Sequence, residues 1–275
     1  MKRSIIRRLG GVAATVALTT AALASPVNAA APQVDYINLG DSFSASIGTG
    51  GLHFAVPGCV QGDGPDHVSK LDSKKRVDLL ANAACSGATT TDITAIVGHL
   101  PAPMLQDAEL ITLTLGGNDL SWIPFLTACL SGDPTNCAIA SGTIQTELAS
   151  LAPKVAQTLA TIRVQAPNAK IVVLGYPNLL DGNNPATPIP AELVASMKQA
   201  TRTLNQILGS VTKQVPNAVF VDVTSRFNGH GADSTDPWIN GFIGPFESFH
   251  PNTSGYLQGY YPAVMSAISL GQLGR

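Results

Sequence analysis

Val34-Asp35-Tyr36-Ile37-Asn38-Leu39-Gly40-Asp41-Ser42-Phe43 is the stretch that decides how the rest of the chain is read. Residues 34–39 form a short, largely apolar run that stops at Gly40, the signature of a buried strand. Three more runs repeat it at 109–115, 170–175 and 218–223, the first of them ending in Gly116-Gly117. Between them lie helical patterns. Residues 143–165 carry Ile144, Leu148, Leu151, Val155, Leu159 and Ile162 on one stripe. Residues 191–215 repeat this with Leu193, Met197, Leu204, Ile207, Leu208 and Val211, and 256–270 reads as a closing helix.

Alternation of such strands with helices predicts a parallel sheet covered on both faces, an α/β fold. Sites in these sheets form beyond the carboxyl ends of the strands. Asp41-Ser42 and Asn118-Asp119 both fall there, and Phe249-His250-Pro251 precedes the last helix. Long Gly/Pro-rich stretches at 44–70, 177–190 and 228–250 read as functional walls of one domain rather than as linkers.

Residues 1–30 read as a secretory signal peptide, leaving 31–275 as the mature domain. Lys2, Arg3, Arg7 and Arg8 make a basic start, 9–24 carry no charge, and Val27-Asn28-Ala29-Ala30-Ala31 offers small residues for cleavage. The apolar stretch is short for a membrane anchor, so a secreted, extracellular protein is expected. Losing those four of the 16 basic residues leaves 12 against 18 acidic ones, a net charge of −6. Without a basic stripe, nucleic acid is excluded as a partner.

Four cysteines, an even count in an exported chain, predict two disulfides. Of three pairings, the sequence-local Cys59–Cys85 and Cys129–Cys137 are favoured. Loops of these sizes correspond to about 3.5 and 2.5 kcal/mol in the chain-entropy model. No Cys-x-x-Cys or His pair offers zinc spacing.

The three blocks bring the residue types that acyl transfer needs. Ser42 is a nucleophile if a base takes its proton, and near a helix start it would meet backbone N–H groups. The bland reading is that Asp41 and Ser42 cap a helix. Asn118, after two glycines, can donate its amide to an oxyanion, or merely close an Asx-turn. His250 is held between Phe249 and Pro251, which suits a base; a packed core histidine is the alternative. His53, His67, His99 and His230 are expected in loops with no catalytic role. In Asn82-Ala83-Ala84-Cys85-Ser86-Gly87-Ala88-Thr89-Thr90, Gly87 can present a bare N–H, and Ser86 is a rival nucleophile without strand-end context. No Gly-x-Ser-x-Gly elbow occurs.

With these blocks in this order, the chain resembles the SGNH hydrolases, the GDSL lipase/esterase superfamily, and most of all its secreted actinobacterial esterases, lipases and phospholipases A1. The resemblance rests on residues 35–45, on 84–90, on Leu115-Gly116-Gly117-Asn118-Asp119, on Pro237-Trp238-Ile239-Asn240 and on Phe249-His250-Pro251. It implies a flavodoxin-like three-layer α/β/α sandwich around a five-stranded parallel sheet. It implies Ser42 as nucleophile and His250 as base. The oxyanion hole would be the Ser42 N–H, the Gly87 N–H and the Asn118 side chain, with no metal or organic cofactor. Where many members have Asp three residues before the histidine, this chain has Glu247, which is either a third catalytic member or a bystander whose carbonyl orients His250. A third disulfide of relatives is missing, its cysteine falling near Ala232, and the 228–240 loop is expected to be looser for it.

The expected activity is hydrolysis of fatty-acyl or lipid esters by a monomer, at a lipid interface or in solution. Trp122, Ile123, Phe125, Leu126, Ile239, Phe242, Ile243 and Phe246 are candidate walls of an acyl groove. A carbohydrate acetyl-esterase and a non-catalytic binding protein are the rival readings.

Overall fold

The computed structural model describes residues 33–182 and 189–273. The leader expectation for residues 1–30 lies outside the described residues. Five strands form the main sheet: β1 Val34–Gly40, β4 Val77–Asn82, β5 Leu110–Thr114, β6 Lys170–Leu174 and β7 Ala218–Val221. Their order is β4-β1-β5-β6-β7, and every pairing is parallel. By position in the sheet's own sequence this is 2-1-3-4-5, the flavodoxin-like winding, whose switch point lies between β1 and β5.

The central strands are continuous apolar runs because both faces are covered. Ile37, Leu39, Ile111, Leu113, Ile171 and Val173 are all fully buried. Buried polar side chains on these strands satisfy one another. Asn38 Nδ2 donates to Asn82 Oδ1 at 2.7 Å, Asn38 Oδ1 accepts from Thr112 Oγ1 at 2.9 Å, and Thr112 Oγ1 lies 2.6 Å from the Tyr36 hydroxyl.

Helices flank the sheet. On one side α5, Pro134–Gln165, packs against α2 (Thr90–His99), α4 (Trp122–Leu130) and α6 (Ala191–Thr212). Elsewhere α1, His67–Asp72, packs against a π-helical turn, Gly255–Tyr260, and the α7 helix that continues it, Tyr261–Ala267. A short helix α3, Ala102–Asp107, leads into β5.

Several boundaries differ from the sequence reading for local reasons. The 143–165 pattern is the C-terminal part of α5, which starts nine residues earlier because Asp133 caps it, accepting from Thr135 N at 2.8 Å, with Pro134 in the first turn. The edge strand β4 was not expected, nor was the hairpin of β2 (Leu52–Val56) and β3 (Cys59–Gly62) inside 44–70. Both disulfides are those favoured, Cys59–Cys85 and Cys129–Cys137, so all four sulfurs are removed from metal ligation. Three of the four histidines expected in loops lie in regular elements, and His230 is in a loop as expected. His53 lies in β2, His67 opens α1 and stacks on Tyr256 at 5.5 Å, His99 closes α2, and His230 stacks on Trp238 at 3.8 Å.

The loop near Ala232, expected to be looser, is held by polar bonds. Asp233 accepts from the N–H groups of Asp181 and Gly182, both at 2.6 Å, and Asp181 Oδ2 accepts from Gly231 N at 2.7 Å. No described helix is long and apolar enough to cross a membrane.

Candidate active site

The site is assembled at the carboxyl ends of β1 and β5, on either side of the switch point. Gly40 ends β1 with φ +121°, and a Cβ there would come within 2.5 Å of the Thr114 carbonyl oxygen. Only glycine lets the chain turn this close to β5. No α-helix follows. Residues 41–48 form tight turns closed by Ala45 N to Asp41 O at 2.8 Å and Ile47 N to Ser42 O at 3.1 Å. Asp41 and Ser42 therefore have no helix to cap, and the helix start expected beside Ser42 is a non-helical turn.

What fixes the turn is a buried polar cluster. Asp41 Oδ1 accepts from Thr114 Oγ1 at 2.6 Å and from Phe43 N at 3.0 Å, and Oδ2 accepts from the Tyr176 hydroxyl. Asn38 Nδ2 holds the Ser44 carbonyl at 3.0 Å, and Ser44 Oγ accepts from Thr114 N at 2.9 Å. Burial pushes the Asp41 carboxyl up against the pull of its three donors. Burial and the neighbouring Asp41 push the Tyr176 phenol well above its ordinary value, so its hydroxyl stays a donor. The same hydroxyl accepts from Gly117 N at 3.1 Å. Tyr176 thus ties the turn carrying Ser42 to the turn carrying Asn118, from the end of β6.

Asn118 and Asp119 do not close their own turn. Asn118 Nδ2 donates to the Ala88 carbonyl at 3.0 Å, which fixes the amide and leaves its second N–H for a ligand. Asp119 accepts from Thr90 N at 2.9 Å and Thr90 Oγ1 at 2.8 Å. These bonds bring the 85–90 loop, pinned by Cys59–Cys85, beside Asn118. In that loop Gly87 has φ +81°, and a Cβ built on it meets nothing within 4 Å, so its backbone faces open space.

His250 arrives from the far end of the chain. Phe249, in the left-handed region at φ +59°, turns the backbone, and Asn240 N bonds the His250 carbonyl at 2.8 Å. The imidazole Nε2 lies 2.7 Å from Ser42 Oγ, and Nδ1 lies 3.0 Å from the Ser248 carbonyl. A carbonyl can only accept, so Nδ1 carries the proton and the Nε2 lone pair faces the Ser42 hydroxyl. The orienting carbonyl belongs to Ser248, one residue beyond the Glu247 carbonyl considered from sequence. The Glu247 carbonyl instead accepts from the His250 backbone N–H at 3.3 Å. Both ring nitrogens are engaged without the Glu247 carboxylate. Glu247→Ala is therefore expected to lower kcat at most about tenfold, roughly 1.4 kcal/mol, in steady-state ester hydrolysis.

Removal from water holds the His250 imidazole down at about 4, against the backbone at Ser248 and Phe246, which pulls it up. A depressed pKa keeps the neutral, proton-accepting form present at lower pH. The acid limb of kcat/KM for a soluble ester is thus expected near pH 4 to 5, below the roughly 6.5 of a free imidazole.

Ser42, Asn118 and His250 share one cavity of about 250 Å³. Its apolar walls include Leu120, Trp122, Ile123, Leu126, Leu179 and Leu204. Trp122, Ile123 and Leu126 thus stand where an acyl groove was expected. Phe125 and Ile239 do not line it and are core residues, and Phe242, Ile243 and Phe246 point into solvent. Ser86 is outside this lining as well.

A family model described as "GDSL-like Lipase/Acylhydrolase family" matches residues 39–257. The chain belongs to the GDSL-like lipase/acylhydrolase family. It is 29% identical to Lipase 1 of Streptomyces coelicolor over 261 residues, covering 93% of this chain and 94% of that one. The crystal structure of an extracellular lipase from Streptomyces rimosus superposes with TM-score 0.76 at 28% identity, over 86% of this chain and all of the other. Phospholipase A1 from Streptomyces albidoflavus gives TM-score 0.76 at 26% identity, over 87% of this chain and 100% of that one. This GDSL-family chain is a carboxylic-ester hydrolase of the lipase/esterase type, with the parallel-sheet α/β fold of these neighbours.

Proposed function

We propose that Ser42 is the nucleophile and His250 the general base of a hydrolase for fatty-acyl esters. Ser42 Oγ attacks the ester carbonyl carbon while its proton passes to His250 Nε2. The negative charge that forms on the carbonyl oxygen is met by the Ser42 and Gly87 N–H groups and the free N–H of Asn118. Collapse breaks the bond to the alcohol, which leaves with the proton from His250. Water then attacks the acyl-serine, His250 again taking and returning a proton, and the fatty acid departs.

The observation that carries this reading is the 2.7 Å contact of His250 Nε2 with Ser42 Oγ, with Nδ1 tied to the Ser248 carbonyl. The apolar cavity beginning at Ser42 supports an acyl chain over an acetyl group. Printed names of the relatives, lipases and a phospholipase A1, point the same way. We read the enzyme as a monomer, a reading supported by a site whose residues all come from one chain. Residues 1–30 act as an export signal that releases 31–275 outside the cell, in keeping with the relative named as extracellular. A p-nitrophenyl ester series tests the substrate class. kcat/KM is expected to rise about tenfold or more from acetyl to octanoyl, and a preference for acetyl would instead favour an acetyl-esterase.

A further inference from the structure

The segment that delivers His250 carries three large apolar side chains in water. Phe242 is 87% exposed, Ile243 59% and Phe246 48%. Contiguous exposure of this kind marks a contact surface. The segment is no loose loop. The Ser248 hydroxyl accepts from Ile243 N at 2.9 Å and Gly244 N at 3.1 Å and donates to the Gly244 carbonyl at 2.6 Å. Ser248 in turn lines the acyl cavity, so the apolar tip stands beside that cavity in the chain.

A second apolar projection leaves the body at the same joint. Leu52 and Phe54 alternate along β2 and share one face, a bulge before Val56 breaks the alternation, and all three side chains are exposed. The chain leading into each segment is tied to the other where Asn240 Nδ2 donates to the Gly48 carbonyl at 2.8 Å.

Charge selects the occupant. No Lys or Arg lies between Arg226 and Arg275, or in 49–69, whereas Asp63, Asp236 and Glu247 do and are at least partly exposed. Such a surface has nothing to hold an anionic headgroup and repels it. We infer that the tip at Phe242–Phe246, with the exposed face of β2, is an interfacial contact for an uncharged or zwitterionic lipid surface. It seats the acyl cavity on the layer that holds its substrate. The inference rests on the ester-hydrolase reading of the site.

The test compares wild type with Phe242→Ser/Ile243→Ser/Phe246→Ser and with Phe242→Ser alone, after thermal melts establish that each is folded. Binding is read by co-sedimentation with phosphatidylcholine vesicles and, in parallel, phosphatidylglycerol vesicles. Rates are read on soluble p-nitrophenyl butyrate and on a long-chain ester carried in the phosphatidylcholine vesicles. Wild type is expected to bind phosphatidylcholine at least as well as phosphatidylglycerol. The triple variant should lose about tenfold in vesicle binding and in the vesicle-borne rate, and the single variant about threefold. Soluble turnover of Phe242→Ser should stay within about twofold. Unchanged vesicle binding in the triple variant, stronger binding of wild type to phosphatidylglycerol, or self-association of wild type that the substitutions abolish would each overturn the inference. Vesicle effects without any wild-type turnover of the soluble ester would instead sink the ester-hydrolase reading, and the inference with it.

Discussion

Ser42→Ala is expected to lower kcat for a soluble ester by about five to six orders of magnitude, roughly 7–8 kcal/mol of transition-state stabilisation. In the proposed mechanism the loss is this large because Oγ is the atom that attacks, and removing it leaves only the proposed oxyanion donors and the cavity. His250→Ala should cost nearly as much, since Nε2, 2.7 Å from Oγ, is the proposed acceptor of its proton. The double variant should be no slower than the worse single variant by more than about threefold, because the two groups act in one step. Additive losses would mean that His250 acts on something other than Ser42. The methyl group of alanine fits the space of the hydroxymethyl, so thermal stability should stay within about 1 kcal/mol.

Asn118→Ala is expected to lower kcat by about 10²–10³, roughly 2.7–4 kcal/mol, with KM changed little. The split follows from where the amide acts. One N–H is spent on Ala88 at 3.0 Å, and the other is proposed to meet charge that exists only after attack. Ground-state binding of the acyl chain by Leu120, Trp122 and Leu204 is untouched. A rise in KM with kcat preserved would place Asn118 in substrate binding instead.

Much of this site was legible because strand ends are legible. Ser42 and Asn118 follow apolar runs that stop at glycines, and parallel sheets gather chemistry at such ends. His250 was recognisable by its place before the last helix. What escaped was held by partners far apart in sequence. Thr114 and Tyr176 read as an ordinary strand residue and a residue after Gly175, yet both bond Asp41, from 73 and 135 positions away. The strand-end rule applied to β6 would have singled out Tyr176. The Ser248 carbonyl escaped because backbone acceptors leave no trace in side-chain identity, so attention fell on Glu247. The edge strand β4 has only Val77 fully covered, so its run lacks the apolar density of the central strands. Phe125, Ile239 and Phe242 show the remaining gap: apolar residues near a site read alike whether they line a cavity, fill the core or stand in solvent.

The central claim is that Ser42 forms the acyl-enzyme, and covalent labelling with a fluorophosphonate probe followed by peptide mapping tests it most directly. Wild type should take up a single adduct on the peptide containing Ser42, and Ser42→Ala should take up none. An adduct on Ser86, or undiminished labelling of Ser42→Ala, would contradict it.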